Sequence, residues 1–155
     1  MHRLLTFVTF AIFSFAANAS DTEDVLALVK EHWEARNAND YQTPYDHLSD
    51  HGTLNADSDG SFFYETDKGT VADFERESSS VKKFNLTVRY PVATILADSV
   101  ILAQYYLVGQ LEFADGSRAG NYRVRATHIW VKESGGWKTR SWHFSPLHGG
   151  GTFQR

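Results

Sequence analysis

The 155-residue chain contains no cysteine. Disulfides are therefore excluded as a source of stability, and so are thiol nucleophiles and thiolate metal sites. Positive charge is also scarce in concentrated form, with no run of Lys or Arg longer than two residues and a formal net charge of -4. That balance argues against a nucleic-acid partner or an anionic membrane surface. Linkers, internal repeats and low-complexity stretches are missing too, so residues 20–155 read as one domain with a single core.

What is present begins with an apolar run. Residues 1–19 have a short basic start (His2, Arg3), an apolar stretch from Leu4 to Ala17 and then Ala17-Asn18-Ala19. This is the pattern of a secretory signal peptide with small residues at the two positions a signal peptidase reads. The expectation is an exported protein, periplasmic or secreted, cleaved after Ala19 and free of the membrane thereafter.

Residues 21–37 read as a first helix, with Ser20 or Asp21 as N-cap and Val25, Leu26, Val29 and Trp33 at helical spacing, the inner face ending at Trp33. Residues 41–51 read as a second helix with Tyr45 and Leu48 inward, ended by Gly52. A hairpin is expected around Asp57-Ser58-Asp59-Gly60, with Phe62, Phe63 and Tyr64 alternating on its return strand. A short helix over residues 70–76 follows. Four strands in a meander complete the chain: 85–97, 100–113, 122–132 and the segment after Gly135. Pro91 lies inside the first of these, lacks an N–H for the ladder and points to an edge or a bulge.

Two turns set the expected register. A two-residue turn at Asp115-Gly116 puts Ala103 opposite His128 and Tyr105 opposite Ala126. A three-residue loop Glu133-Ser134-Gly135 puts Trp130 opposite Lys138, His128 opposite Arg140, Ala126 opposite Trp142 and Val124 opposite Phe144. A two-residue turn there slips the pairing by one and turns the second strand over. The longer loop is preferred because it sets Trp142 and Phe144 beside the apolar row.

Helices followed by an antiparallel sheet make an α+β fold. With Asn39-Asp40-Tyr41 after the opening helix, Asp73-Phe74 in the short helix, Asp115-Gly116 between long strands, and Thr127, Trp130, Gly136-Trp137, His143 and Ser145 in order, the chain resembles the nuclear transport factor 2-like superfamily. Within it, the chain resembles the SnoaL-like proteins and the calcium/calmodulin-dependent kinase II association domain. The resemblance implies a cone-shaped curved sheet with N-terminal helices on its concave face, a pocket at the wide end and pairing of subunits through the exposed sheet face. Where the kinase association domain has basic pocket residues, the matching positions here are Glu75, Gly109, His128 and Phe144.

The candidate pocket follows from the register. Tyr105, His128, Arg140 and Trp142 are expected on one cavity lined by Trp33, Leu107 and Trp130 and closed near its mouth by Tyr64 or Glu75, a mostly apolar wall with few polar groups. His128 reads either as a neutral imidazole acting on a ligand or as a core histidine satisfied by Tyr105 or by backbone. Arg140 needs a carboxylate if buried, with Glu75 or Asp40 as suppliers.

His47 and His51, four apart, have metal-ligand spacing but read better as a solvated helix face, and Asn55, Asp57, Asp59 and Gly60 imitate half a calcium loop but read better as a hairpin turn. No metal and no cofactor is assigned, and Asn85-Leu86-Thr87 is a glycosylation sequon of meaning only in a eukaryotic secreted protein. The leading expectation is an exported small-molecule-binding protein without a recognisable catalytic set. The alternatives are an isomerase or dehydratase acting on a hydrophobic ring compound, with His128 or Glu75 as base, and an oligomeric assembly module. A homodimer or larger ring is expected through Arg123, Arg125, Ile129, Val131, Ser141 and His143.

Overall fold

The architecture comes from a computed structural model that describes the backbone of residues 13–147 and the side chains of residues 21–147. The expected signal segment therefore lies outside the described residues over 1–12, and from residue 13 onward the backbone is helical. In chain order the elements are α1 (Phe13–Asn37), α2 (Gln42–Asp46), β1 (Thr53–Ala56), β2 (Tyr64–Thr66), α3 (Val71–Ser78), β3 (Val81–Ala97), β4 (Val100–Phe113), β5 (Arg118–Glu133) and β6 (Gly136–Pro146). No helix among the described residues is long and apolar enough to cross a membrane.

The six strands form one curved, unclosed sheet in the order β2-β1-β6-β5-β4-β3, with helices at its N-terminal side. The α+β cone is the expected one, but the sheet is not wholly antiparallel. β1 lies parallel to β6, with Leu54 opposite Ser141 and Ala56 opposite His143. The cause sits just upstream, where the Ser49 N–H bonds the Thr139 carbonyl at 3.0 Å and the Thr139 N–H bonds the His47 carbonyl at 2.7 Å. Those bonds run the chain along β6 before β1 begins, and they also correct the second helix, which ends at Asp46 rather than His51.

α1 passes straight through Ser20 and Asp21, so neither caps it. Asp21 instead accepts from Lys132 Nζ at 2.8 Å and Trp137 Nε1 at 3.2 Å, tying the helix to the β5–β6 hairpin. α3 is capped as its sequence asks: Thr70 and Asp73 exchange side chain to backbone bonds in a capping box.

β3 is an edge strand, and Pro91 falls in a register shift between Arg89 and Val92, beside Tyr90 at φ 51. Edge and bulge are both realised, because a proline ladder position has no N–H to offer. Ala103 pairs with His128 and Tyr105 with Ala126, as expected. The route to that register differs, since the loop is Ala114-Asp115-Gly116, closed by the Phe113 N–H on the Ser117 carbonyl at 2.9 Å with Gly116 at φ 85. A second shift between Gly109 and Leu111 restores the count. Gly109 has φ 152, and a Cβ there would meet the Asn85 carbonyl oxygen at 2.0 Å, so only glycine fits.

The β5–β6 register needs correction. Glu133 pairs with Gly136 across a two-residue Ser134-Gly135 turn, with the positive φ of 102° at Gly136. Trp130 therefore faces Thr139, not Lys138. A bulge at Arg140 then shifts the strand by one more, so His128 pairs with Trp142 and Ala126 with Phe144. A bulge re-aims every side chain beyond it. The result puts Trp137 and Thr139 inward before the bulge and keeps Trp142 and Phe144 on the face of His128 after it.

The core lies between α1 and this face. Val25, Val29 and Trp33 of α1 cluster with Ile101, Ala103, Tyr105 and Leu107 of β4 and Val124, Ala126 and Trp130 of β5. At about 2 kcal/mol for each large side chain removed from water, this cluster is what holds a disulfide-free domain together.

Candidate active or binding cavity

The sheet curls away from the last turns of α1, and the gap is closed on its other sides by α3 and the β1–β2 hairpin. It encloses a cavity of about 910 Å³. Trp33, Phe84, His128, Trp142 and Phe144 supply rings to its wall, and Asp57, Tyr64, Phe74, Glu77 and Ser78 also line it. Trp33 meets the Phe144 ring edge-on at 5.8 Å, and His128 meets Phe144 at 5.5 Å, so the wall is continuous.

A hydrogen-bond relay fixes the state of His128. The Trp33 Nε1–H donates to Tyr105 Oη at 2.8 Å, and Tyr105 Oη lies 3.1 Å from His128 Nε2. Tyr105 already accepts from Trp33, and its own proton has no other acceptor among the described residues, so it donates to His128 Nε2. The imidazole proton then sits on Nδ1, a buried N–H with no protein partner. Burial holds His128 down to about 3. Near neutral pH it is an uncharged donor.

Two residues missed in the sequence join it. His32 and Arg36 continue the inner face of α1 one and two turns along, so that face runs Val25, Val29, His32, Trp33, Arg36 and does not end at Trp33. His32 lies edge-on to His128 at 6.3 Å and stacks on His47 at 5.9 Å. Its basicity falls well below the ordinary histidine value, first through burial and then through repulsion from the neighbouring His128, Arg36 and His47. Arg36 is 8% exposed and is lowered to about 10 by burial, so it stays charged. Helical spacing from Val29 (i+3) would have found His32, and the same step from Trp33 would have found Arg36.

Of the nine candidate pocket residues, Trp33, Tyr64, His128 and Trp142 line the cavity. Tyr105, Leu107 and Trp130 lie in the core cluster, with Tyr105 reaching the cavity only through its bond to His128. Arg140 does not pair with His128. It occupies the β6 bulge, and its Nη1 donates to the Gly52 carbonyl at 2.6 Å, so neither Glu75 nor Asp40 is needed as its partner. Glu75 is exposed and off the cavity, because the spacing of α3 turns Asp73, Phe74, Glu77 and Ser78 toward it instead.

The remaining motifs resolve locally. His47 is buried against Glu31, with Nε2 3.3 Å from its carboxylate, whereas His51 is exposed, so the pair forms no common solvated helix face. The Asn55 to Gly60 stretch is a hairpin turn: Asp57 accepts from Tyr64 Oη at 2.6 Å and Trp142 Nε1 at 3.2 Å, and Asp59 accepts from the Ser61 N–H at 2.8 Å. Phe62 and Phe63 precede β2 and are exposed, so the return strand is shorter than expected.

No protein-family model matches the sequence, and no curated protein does. Solved structures do. A nuclear transport factor 2-like superfamily protein from Salmonella enterica superposes with a TM-score of 0.72 at 12% identity, over 89% of this chain and 99% of its own. A proposed dehydratase of the same family from Streptomyces avermitilis gives 0.69 at 14%, over 84% and 99%. A proposed calcium/calmodulin-dependent kinase II association domain from Exiguobacterium sibiricum gives 0.64 at 16%, over 86% and 95%. At these identities the likeness is one of fold: the chain has the nuclear transport factor 2-like fold.

Proposed function

We propose that the protein binds a small, largely apolar molecule in the cavity beneath α1. The observation that carries this reading is the wall itself, in which the rings of Trp33, Phe84, Trp142 and Phe144 line a cavity of about 910 Å³. Apolar walls with a few directed polar groups are the composition of small-molecule sites. A ligand bound only by the folded chain stabilises it by mass action, about 2.7 kcal/mol at a hundredfold excess over Kd. Mass spectrometry of the protein purified without denaturation, followed by thermal unfolding with each candidate added back, tests this. Absence of any retained molecule, together with no shift for any cavity-sized apolar compound, would sink it.

The enzymatic reading is weaker in its sequence form. Dehydratase is what the Streptomyces neighbour is proposed to be. Here one named base, Glu75, is outside the cavity, and the other, His128, is too weakly basic to take protons near neutral pH. Two further proposals stand beside binding. Export with cleavage after Ala19 is supported by the N-terminal sequence, and an intact mass of the exported protein beginning at Met1 would exclude it. Self-association through the outer sheet face is supported by exposed Arg123, Arg125 and His143 around half-buried Ile129 and Val131, and by the association-domain likeness of the fold. Light scattering at micromolar concentration decides it, a monomer counting against.

A further inference from the structure

Arg36 is a buried cation with no counter-ion among the described residues. It stands in the last turn of α1, and its Nη1 donates to Ser78 Oγ at 2.9 Å. The ring centroids of Phe84, Phe74 and Tyr41 surround its guanidinium carbon at 4.4, 5.2 and 5.3 Å. Among the described residues no carboxylate forms an ion pair with it. Asp57 favours its charge from a distance but is held by Tyr64 and Trp142 instead.

Taking a guanidinium out of water costs several kcal/mol, and rings return only part of that. Of its five N–H groups the described residues occupy one, on Ser78. The others are not sealed inside the protein, and Arg36 lines the cavity. An open, desolvated fork of N–H donors matches a carboxylate, which it binds in bidentate fashion.

We infer that the cavity takes a small organic acid, its carboxylate paired with Arg36 and its apolar body laid against Trp33, Phe84 and Phe144. This rests on the ligand-binding reading above and narrows the ligand to one chemical class. His32 and His128 add no positive charge to the site near neutral pH, because burial keeps both neutral. Lys68 and Arg76 also line the cavity but are paired with Asp50 and Asp73, which leaves Arg36 as the cation that sets the preference for an anion.

The test compares 2-naphthoate with 2-naphthamide, equal in shape and different in charge, by isothermal titration at pH 7.5. The wild-type protein is expected to bind the acid at least about tenfold more tightly than the amide, the scale of one charge-assisted hydrogen bond. In R36Q the preference should vanish while amide binding persists; in R36K, which keeps the charge and loses the fork, it should shrink but survive. Equal binding of acid and amide by the wild type would overturn the inference and leave the cavity reading intact, a result that needs no variant to fold. Full preference retained in R36Q would overturn it as well. Binding of neither probe would overturn this inference and leave the cavity reading to the retained-molecule and thermal-unfolding test above.

Discussion

The two faces of the central sheet carry different kinds of burden. On the inner face, β5 presents Val124, Ala126, His128 and Trp130, all 2% exposed or less; on the outer face it presents Arg123 and Arg125 to solvent and leaves Thr127 and Ile129 half-buried. The same alternation on β4 buries Tyr105 and leaves Tyr106 41% exposed. One strand thus serves two environments, and period two is enough to separate them. The inner face holds polar groups the core does not neutralise. Its cost in stability and the binding proposed for it rest on the same residues.

The largest break in that contrast is removal of an inner anchor. Trp130 is wholly buried between β4, β6 and the α1 side, so Trp130→Ala should lower the unfolding free energy by about 3–5 kcal/mol, read from urea midpoints. A loss below about 1 kcal/mol would mean that the inner face is not the structural one.

Acid should expose the next difference. His128 is held at about 3 when folded, whereas an unfolded histidine titrates near 6.5, so the unfolded chain takes up a proton that the folded chain refuses. The stability this contributes is complete above about 6.5 and is lost as pH falls toward 3. His32 shifts in the same direction, and so does His47, although Glu31 opposes part of the effect of burial there. Depressed carboxylates such as Asp21, Asp50 and Asp73 add their losses lower, below about 4. Between pH 7 and 5 the histidines dominate, and stability should fall by about 2 kcal/mol for His128 alone. In His128→Gln that slope should be shallower by one proton, measured by urea unfolding across the interval. An unchanged slope would place His128 in contact with water.

Arg36→Met sharpens the comparison from the other side. Replacing a buried, unpaired charge by an apolar chain of similar length is neutral or stabilising in other folds. The variant should therefore unfold at or above the wild-type midpoint, by up to about 1 kcal/mol, while losing its preference for acids. A clear destabilisation would make Arg36 a structural residue, its bond to Ser78 worth more than the charge costs.

Legibility followed the same division. Alternation and turn residues located every long strand and sorted the faces of β4 and β5, since period two is a local property, but on β6 before the bulge they set Lys138 and Arg140 inward where the structure buries Trp137 and Thr139. What they missed was non-local or compensating. The parallel pairing of β1 with β6 depends on His47, Ser49 and Thr139 meeting across more than eighty positions, and no local pattern encodes it. In the last hairpin the turn is one residue shorter than expected, and the bulge at Arg140 then returns Trp142 and Phe144 to the expected side. The face was legible although the register was not. Arg140 was the residue that paid for this, leaving the cavity for the Gly52 carbonyl. Arg36 went unread because a charge on an apolar helix stripe looks like the end of the stripe.

The smallest expected effect tests the outer face. Tyr106 pairs with Arg125 in the sheet and meets Tyr90 edge-on at 6.3 Å, where Tyr90 itself is 81% exposed. In a monomer, Tyr106→Thr removes an exposed ring from a strand that tolerates threonine, and stability should change by no more than about 0.5 kcal/mol. If this face joins two copies, the wild-type midpoint rises with protein concentration, because association stabilises only the folded chain. The variant should then match the wild type at the lowest concentration and fall behind it as concentration increases. Midpoints independent of concentration in both proteins would assign the outer face to solvent, and a loss above about 1 kcal/mol at every concentration would show that it is as structural as the inner one.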